Sequence, residues 1–170
     1  MKKSRWLVCP VLAALLGVPL AGLTQTPLPA AGAAASTSSA PPQFQPSMGD
    51  LMTMIVQPRH IKLGLAGRQH NWVYARYELS ELRNAFGRVA RTIPKYRTMD
   101  TAQMVDAMTR GPFAALDSAI TSRNAARFAS AYEQLTQSCN ACHLSEQHAM
   151  VVIKVPAAAM FPDQEFKPGP

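Results

Sequence analysis

The chain has 170 residues and a formal net charge of +7, from 17 lysines and arginines against 10 aspartates and glutamates. This length fits one small folded domain preceded by a processing segment. Three cysteines are too few for the disulfide framework of a small secreted scaffold. The sequence contains no glycine pattern that binds nucleotides and no internal repeat, which excludes nucleotide-binding folds and repeat arrays.

The first 33 residues are predicted to be a signal peptide. Lys2, Lys3 and Arg5 form a basic start, and an apolar run from residue 6 to about residue 23 follows. This order is typical of a secretory signal. Its removal would take Cys9 with it and leave 14 basic against 10 acidic residues, a net charge of +4. An uncleaved membrane anchor is the alternative, although the run is short for a span and contains two prolines.

Residues 34–46 are predicted to form a disordered leader. They are rich in proline, alanine and serine and carry no charge. Such a segment cannot bury enough apolar surface to offset the entropy lost on ordering. The folded body is therefore expected over residues 47–150.

Four helices are predicted in this body: 47–67, 71–93, 101–121, and a last helix that begins at Asn124 and runs through the cysteines. Each has apolar residues at spacings of three and four. Pro58 is expected to interrupt the first helix, and Gly111-Pro112 to kink or split the third. Short connections make neighbouring helices antiparallel. The predicted fold is all-α, an up-down-up-down four-helix bundle with an extended C-terminal tail.

The last helix contains Cys139-Asn140-Ala141-Cys142-His143, a C-x-x-C-H motif. This pattern is the attachment site of a c-type haem. Cys139 and Cys142 would form thioethers with the two vinyl groups, and His143 would be the proximal iron ligand. Three rival interpretations are a thioredoxin-like pair, a zinc site and a structural disulfide. The pair lies deep inside a helix and not at its N-terminus, and no second pair of ligands has zinc spacing.

With this motif in the last helix of a bundle, the chain resembles the cytochrome c′ superfamily over residues 47–148. The resemblance implies an exported protein with one covalent haem c between helices near one end of the bundle. Many members carry an arginine a few residues after the motif histidine, whereas Leu144, Ser145, Glu146 and Gln147 follow here. Many members are also homodimers, so the resemblance admits a homodimer, although no exposed apolar stripe requires one.

In that superfamily the residue on the open side of the iron comes from the first helix. His143 lies about nineteen residues into the last helix, level with residues 48–54 of an antiparallel first helix at a rise of 1.5 Å per residue. Met54 or Met52 fits this level as sixth ligand, with Met54 slightly favoured because it lies on the apolar stripe. His60 is the rival, since imidazole is the stronger iron ligand. His148 is expected to lie at the surface.

The tail, residues 151–170, is predicted to be extended and to pack on the bundle. Its valines favour extended backbone, and its prolines prevent a helix. Phe161 and Phe166 are candidates to cover a haem edge or simply to fill a helix groove.

Two functions follow from these observations. The first is a periplasmic one-electron carrier. The alternative, implied by the same resemblance, is a five-coordinate haem protein that binds or senses nitric oxide or carbon monoxide. No paired carboxylates or distal histidine and arginine set can be placed over the iron, so we do not expect an enzyme.

Five basic residues are close together in the sequence: Arg83, Arg88, Arg91, Lys95 and Arg97. They are either an ordinary solvated face or a docking patch for an acidic redox partner, which would raise the association rate. Nucleic acid is not an expected partner of an exported haem protein.

Overall fold

A computed structural model describes residues 43–158 and 161–169 of the chain. The predicted signal peptide, Cys9 and most of the predicted leader lie outside the described residues. Residues 43–46, the end of that leader, carry no helix or strand, and the first helix begins at Met48.

The described residues are mostly helical, which confirms the all-α prediction. In chain order the elements are helix α1 (Met48–Leu51), a π-helical turn (Met52–Val56), helices α2 (Gln57–Arg68) and α3 (Trp72–Thr92), strands β1 (Lys95–Tyr96) and β2 (Met99–Asp100), and helices α4 (Thr101–Thr121) and α5 (Ala125–Ser145). The two strands form an antiparallel hairpin in a segment predicted as a plain loop. No helix within the described ranges is both long enough and apolar enough to cross a membrane.

Polar caps fix where these helices begin. The side chains of Asn71 and Asn124 accept hydrogen bonds from backbone N–H groups of the first turns of α3 and α5. Asp100 does the same for α4, and Ser47 forms a capping box with Asp50 at α1. Each cap satisfies N–H groups that a helix N-terminus leaves without a partner.

The two proline predictions have different outcomes. The first helical segment is interrupted before Pro58, by the π-helical turn, and Pro58 lies in the first turn of α2, directly after that turn. Because proline has no N–H, it cannot donate a hydrogen bond to the turn before it. The predicted split at Gly111-Pro112 does not occur, because α4 runs through both residues. Phe113 and Leu116, just beyond them, are buried in the core, and this packing opposes the cost of a proline inside a helix.

The helices contact one another in sequence order, and α2 also contacts α5. The core between them is built from leucines, alanines and aromatic residues, of which Leu63, Leu82, Leu116 and Leu135 are fully buried. Gly64 and Gly67 on α2 lie directly against Tyr132 and Phe128 of α5, so the two backbones approach closely. This approach brings α2 beside the helix that carries the C-x-x-C-H motif.

Residues 151–158 and 161–169 of the tail form neither helix nor strand. The tail is attached at several points. The Arg68 guanidinium donates to the Ala157 carbonyl at 3.0 Å, and the Asn71 side chain donates to the Lys167 carbonyl at 3.0 Å. Phe166 is buried and stacks on Tyr74 with ring centroids 5.6 Å apart.

Candidate cofactor cavity

A cavity of about 330 Å³ lies beside the C-terminal half of α5. Its walls come from all five helices, the π-helical turn, the hairpin, and the segment after α5 that leads into the tail. Cys139, Cys142 and His143 all line it. The volume is within the range of small-molecule and cofactor sites, roughly 300–1,000 Å³. The structure therefore brings the three residues of the predicted haem motif to one cavity.

The spacing of the motif explains this arrangement. Cys139 and Cys142 are three residues apart on α5, and His143 is four residues after Cys139, so all three lie on one face of the helix. Both thiols are free in the structure and form no disulfide. Burial raises the pKa of the Cys139 thiol to about 11 and also raises that of Cys142. A thioredoxin-like pair needs the opposite, a thiol whose pKa is lowered.

One nitrogen of the His143 ring is fixed by the tail. Its Nδ1 lies 2.6 Å from the Val151 carbonyl oxygen. Because a carbonyl can only accept, Nδ1 carries the proton, and in the neutral ring Nε2 keeps its lone pair. Among the described residues, Nε2 has no hydrogen-bond partner. This is the tautomer that a metal-binding imidazole requires.

Methionines form much of the remaining wall. Met48 and Met52 line the cavity from α1 and the π-helical turn, and Met104 and Met108 from α4. The Met104 sulfur lies 3.8 Å from the Cys142 sulfur. Of these four, the sequence predicted only Met52 as a site residue. The sequence argument compared only the levels of residues along the first and last helices. That comparison does not reveal which residues of α4 face α5.

Met54 lies elsewhere. Its side chain is 64% exposed and does not line the cavity. The prediction that favoured Met54 assumed regular α-helix up to Pro58, in which Met54 shares a stripe with Leu51 and Ile55. A π-helix has more residues per turn than an α-helix, so the π-helical turn changes the direction in which these side chains leave the helix axis. The structure thus places Met52, and not Met54, at the cavity.

His60 reaches the same cavity but is held in a buried network. It is 4% exposed, its Nε2 lies 3.1 Å from the Thr136 hydroxyl, and its Nδ1 lies 3.0 Å from the Tyr132 hydroxyl. Thr136 donates its own proton to the Tyr132 carbonyl, so it accepts from His60. Burial lowers the pKa of His60 to about 4, which keeps the ring neutral. The Tyr132 hydroxyl shares its single proton between Nδ1 and the His60 carbonyl oxygen, which lies 2.7 Å away. Each ring nitrogen therefore lies within hydrogen-bonding distance of a hydroxyl, and binding iron would disrupt one of these contacts.

His148 was expected at the surface, and this expectation is wrong. It is half-buried and lines the cavity, with its Nδ1 donating to the Glu146 carbonyl at 2.7 Å. The surface prediction assumed that α5 continues beyond residue 145. Instead α5 ends at Ser145, and Gln147 adopts a positive φ of 62°, which turns the chain back.

The tail contributes to the cavity with residues other than those predicted. Val151, Val152 and Ile153 line it, whereas Phe161 and Phe166 do not. Phe161 lies under the Lys62 ammonium, 4.6 Å from its ring centroid, and Phe166 packs on α3. Both phenylalanines therefore serve ordinary packing on helices.

All five predicted basic patch residues are exposed, and two of them flank a residue of the cavity wall. Lys95 and Arg97 are exposed on either side of Tyr96, which lines the cavity. Arg88 and Arg91 are exposed on α3, which precedes the hairpin. Arg83 is different, because its guanidinium donates to the Phe113 carbonyl and lies over the Phe113 ring.

Within residues 43–158 and 161–169, no group of three or more His, Cys, Asp and Glu side chains is arranged to hold a bare metal ion. A haem iron has a different requirement, since the porphyrin supplies four nitrogens and the protein only the axial ligands. No protein-family model, curated protein or solved structure gives a significant match to this chain.

Proposed function

We propose that the protein is a monohaem c-type cytochrome that carries single electrons. The observation that supports this most directly is the meeting of two free thiols and a correctly protonated imidazole at one cavity. Cys139 and Cys142 would hold the haem through thioethers, and His143 would bind its iron through Nε2. Bound haem supplies one-electron exchange between ferric and ferrous iron. The polypeptide holds the imidazole in one tautomer and surrounds the cavity with apolar and sulfur-bearing side chains.

We infer the finer fold from the same contacts. Consecutive helices touch, and α2 also touches α5, as expected when four helices close into an up-down-up-down bundle. α1, the π-helical turn and α2 together take the place of its first helix. This arrangement supports our proposal that the chain is related to the cytochrome c′ superfamily.

For the sixth iron position we propose Met52. Its thioether lines the cavity, while Met54 is directed to solvent and both nitrogens of His60 are already hydrogen-bonded. A methionine opposite a histidine gives a low-spin iron with a raised potential. Such a site suits an electron carrier.

The gas-binding alternative is supported by one observation. The wall contributed by α1, the π-helical turn and α4 offers thioethers, apolar groups and two threonines but no imidazole, and both nitrogens of His60 on α2 lie within hydrogen-bonding distance of hydroxyls. If none of the thioethers binds iron, the position stays open to small neutral gases.

For its surroundings we propose the periplasm and an acidic redox partner. Covalent haem attachment takes place outside the bacterial inner membrane, in agreement with the basic and apolar N-terminal segment. Lys95 and Arg97 are exposed next to Tyr96, which lines the cavity, and Arg88 and Arg91 are exposed on α3. These four residues form the proposed docking patch.

An absorption spectrum of the haem-loaded protein separates the two functions. The carrier is expected to give a low-spin ferric spectrum, and its ferrous spectrum should not change when carbon monoxide is added. A high-spin ferric spectrum with a ferrous form that shifts under carbon monoxide would contradict the carrier and support the gas-binding protein.

A further inference from the structure

The first residues of the tail are attached to the motif itself. The Ile153 N–H donates to Oδ1 of Asn140 at 2.7 Å, and the Ile153 carbonyl accepts from Nδ2 of Asn140 at 2.9 Å. The Asn140 side chain thus pairs with the tail backbone much as a neighbouring strand would. We call residues 151–153 the strap.

The strap also holds His143. Val151, two residues before Ile153, accepts the proton of His143 Nδ1 at 2.6 Å. This bond selects the tautomer in which Nε2 can bind a metal. Asn140 and His143 are one turn apart on α5, so both contacts are made by the same end of the helix.

Little else holds the strap in place. The Val151 and Val152 side chains are 47% and 62% exposed, so burial contributes little to their position. The Val151 N–H bonds only locally, to the His148 carbonyl at 2.9 Å. The next side-chain hydrogen bond to the tail within the described residues is that of Arg68 to Ala157, four residues beyond Ile153. Ile153 is half-buried, so its side chain contributes some packing. Apart from His143, Asn140 is the one side chain among the described residues that hydrogen-bonds the strap, and the position of the Val151 carbonyl therefore depends largely on Asn140.

We propose that Asn140 is a positioning residue for His143. By pairing with Ile153 it keeps the Val151 carbonyl on Nδ1, so that Nε2 is presented to the cavity in a fixed orientation. This inference rests on the proposed function, in which Nε2 binds haem iron. A hydrogen-bonded Nδ1–H makes an imidazole a stronger ligand, which stabilises ferric iron and lowers the reduction potential.

The test compares Asn140→Ala and Asn140→Asp with a matched control, Gln137→Ala. Asp keeps the oxygen that accepts from Ile153 but lacks the donor to its carbonyl. Gln137 is exposed on α5, one turn earlier, and bonds only to Glu133. Two quantities are measured on the haem-loaded protein: the midpoint potential, and the rate at which the His143 Nδ1 proton exchanges with solvent, followed by NMR.

We expect Asn140→Ala to raise the midpoint potential and to speed the exchange about fivefold, the effect of losing a hydrogen bond of roughly 1 kcal/mol when a factor of ten is about 1.4 kcal/mol. Asn140→Asp should speed the exchange less, and only exchange is compared for this variant, because its added negative charge by itself lowers the potential. Gln137→Ala should change neither quantity. Wild-type potential and exchange in Asn140→Ala would overturn the inference. If Asn140→Ala does not fold, the exchange rate in Asn140→Asp decides, and a wild-type rate there would overturn the inference.

If the proposed function is wrong, the experiment gives a different result from the one that would overturn the role of Asn140. A wild-type protein without covalent haem contradicts the cytochrome proposal but leaves the strap testable, because its hydrogen bonds are made by the polypeptide alone. The same exchange measurement on the haem-free chain then decides, and equal exchange in wild type and Asn140→Ala would overturn the positioning role.

Discussion

Met52 and Met54 are two residues apart, yet only one of them reaches the cavity. This difference gives a matched pair of substitutions for the sixth iron position. We expect Met52→Ala to convert a low-spin ferric spectrum to high spin and to open the iron to carbon monoxide, because the thioether ligand is lost. Met54→Ala should leave the spectrum unchanged, since its side chain is 64% exposed. A low-spin spectrum that survives Met52→Ala would contradict the assignment and make the other histidines and methionines of the cavity wall, His60 among them, the candidates.

His60 should make stability depend on pH. Its pKa is near 6.5 in the unfolded chain, and burial lowers it to about 4 in the folded protein. Between these values the unfolded chain binds a proton that the folded protein does not, so the free energy of unfolding falls as pH falls from 6.5 to 4. The total loss is about 3 kcal/mol.

Chemical denaturation between pH 7 and pH 4 measures this loss. His60→Gln removes the titrating ring, so its stability should fall less over the same range, even if the variant is less stable at pH 7. Equal pH dependence of the two proteins would show that His60 is not buried as a neutral, hydrogen-bonded ring.

At the level of elements, the contact between α2 and α5 positions the motif helix. A Cβ built on Gly67 would overlap the Phe128 ring, and one on Gly64 would lie 2.6 Å from the Tyr132 ring. We expect Gly67→Ala to lower the free energy of unfolding by about 3 kcal/mol, the upper part of the usual overpacking range. Thermal or urea unfolding measures this change.

Gly87→Ala on α3 is the control. Its added Cβ would meet only the end of the flexible Arg91 side chain, at 3.3 Å. Alanine favours a helix over glycine by roughly 0.5–1 kcal/mol, so this variant should be slightly more stable than wild type. If Gly67→Ala were as stable as Gly87→Ala, the close approach of α2 and α5 would be wrong.

The sequence predicted α3 and α5 well, because each has a regular apolar stripe and an asparagine cap at its start. It could not predict the π-helical turn, since no residue of Met52–Val56 marks the change from four-residue to five-residue hydrogen bonding. The choice between Met54 and Met52 depended on that turn. The predicted position of His148 depended in the same way on where α5 ends. The positive φ of Gln147 turns the chain away just after that end.

At the scale of the whole molecule, the cavity is assembled from distant parts of the chain. Its lining runs from Met48 to Ile153, so nearly the whole described domain must fold before the cavity is complete. The motif itself could be read from five consecutive residues. The walls around it could not, because they depend on how α1, α4 and the strap pack against α5.

The central claim is that Cys139 and Cys142 bind one haem covalently. The full chain should be produced in a host competent in cytochrome maturation, purified, extracted with acid–acetone and weighed by mass spectrometry. The account predicts a protein that stays red and is heavier than its polypeptide by one haem, while a Cys139→Ser, Cys142→Ser double variant loses all colour on extraction. A colourless wild-type protein, or one whose pigment is removed by the extraction, would contradict it.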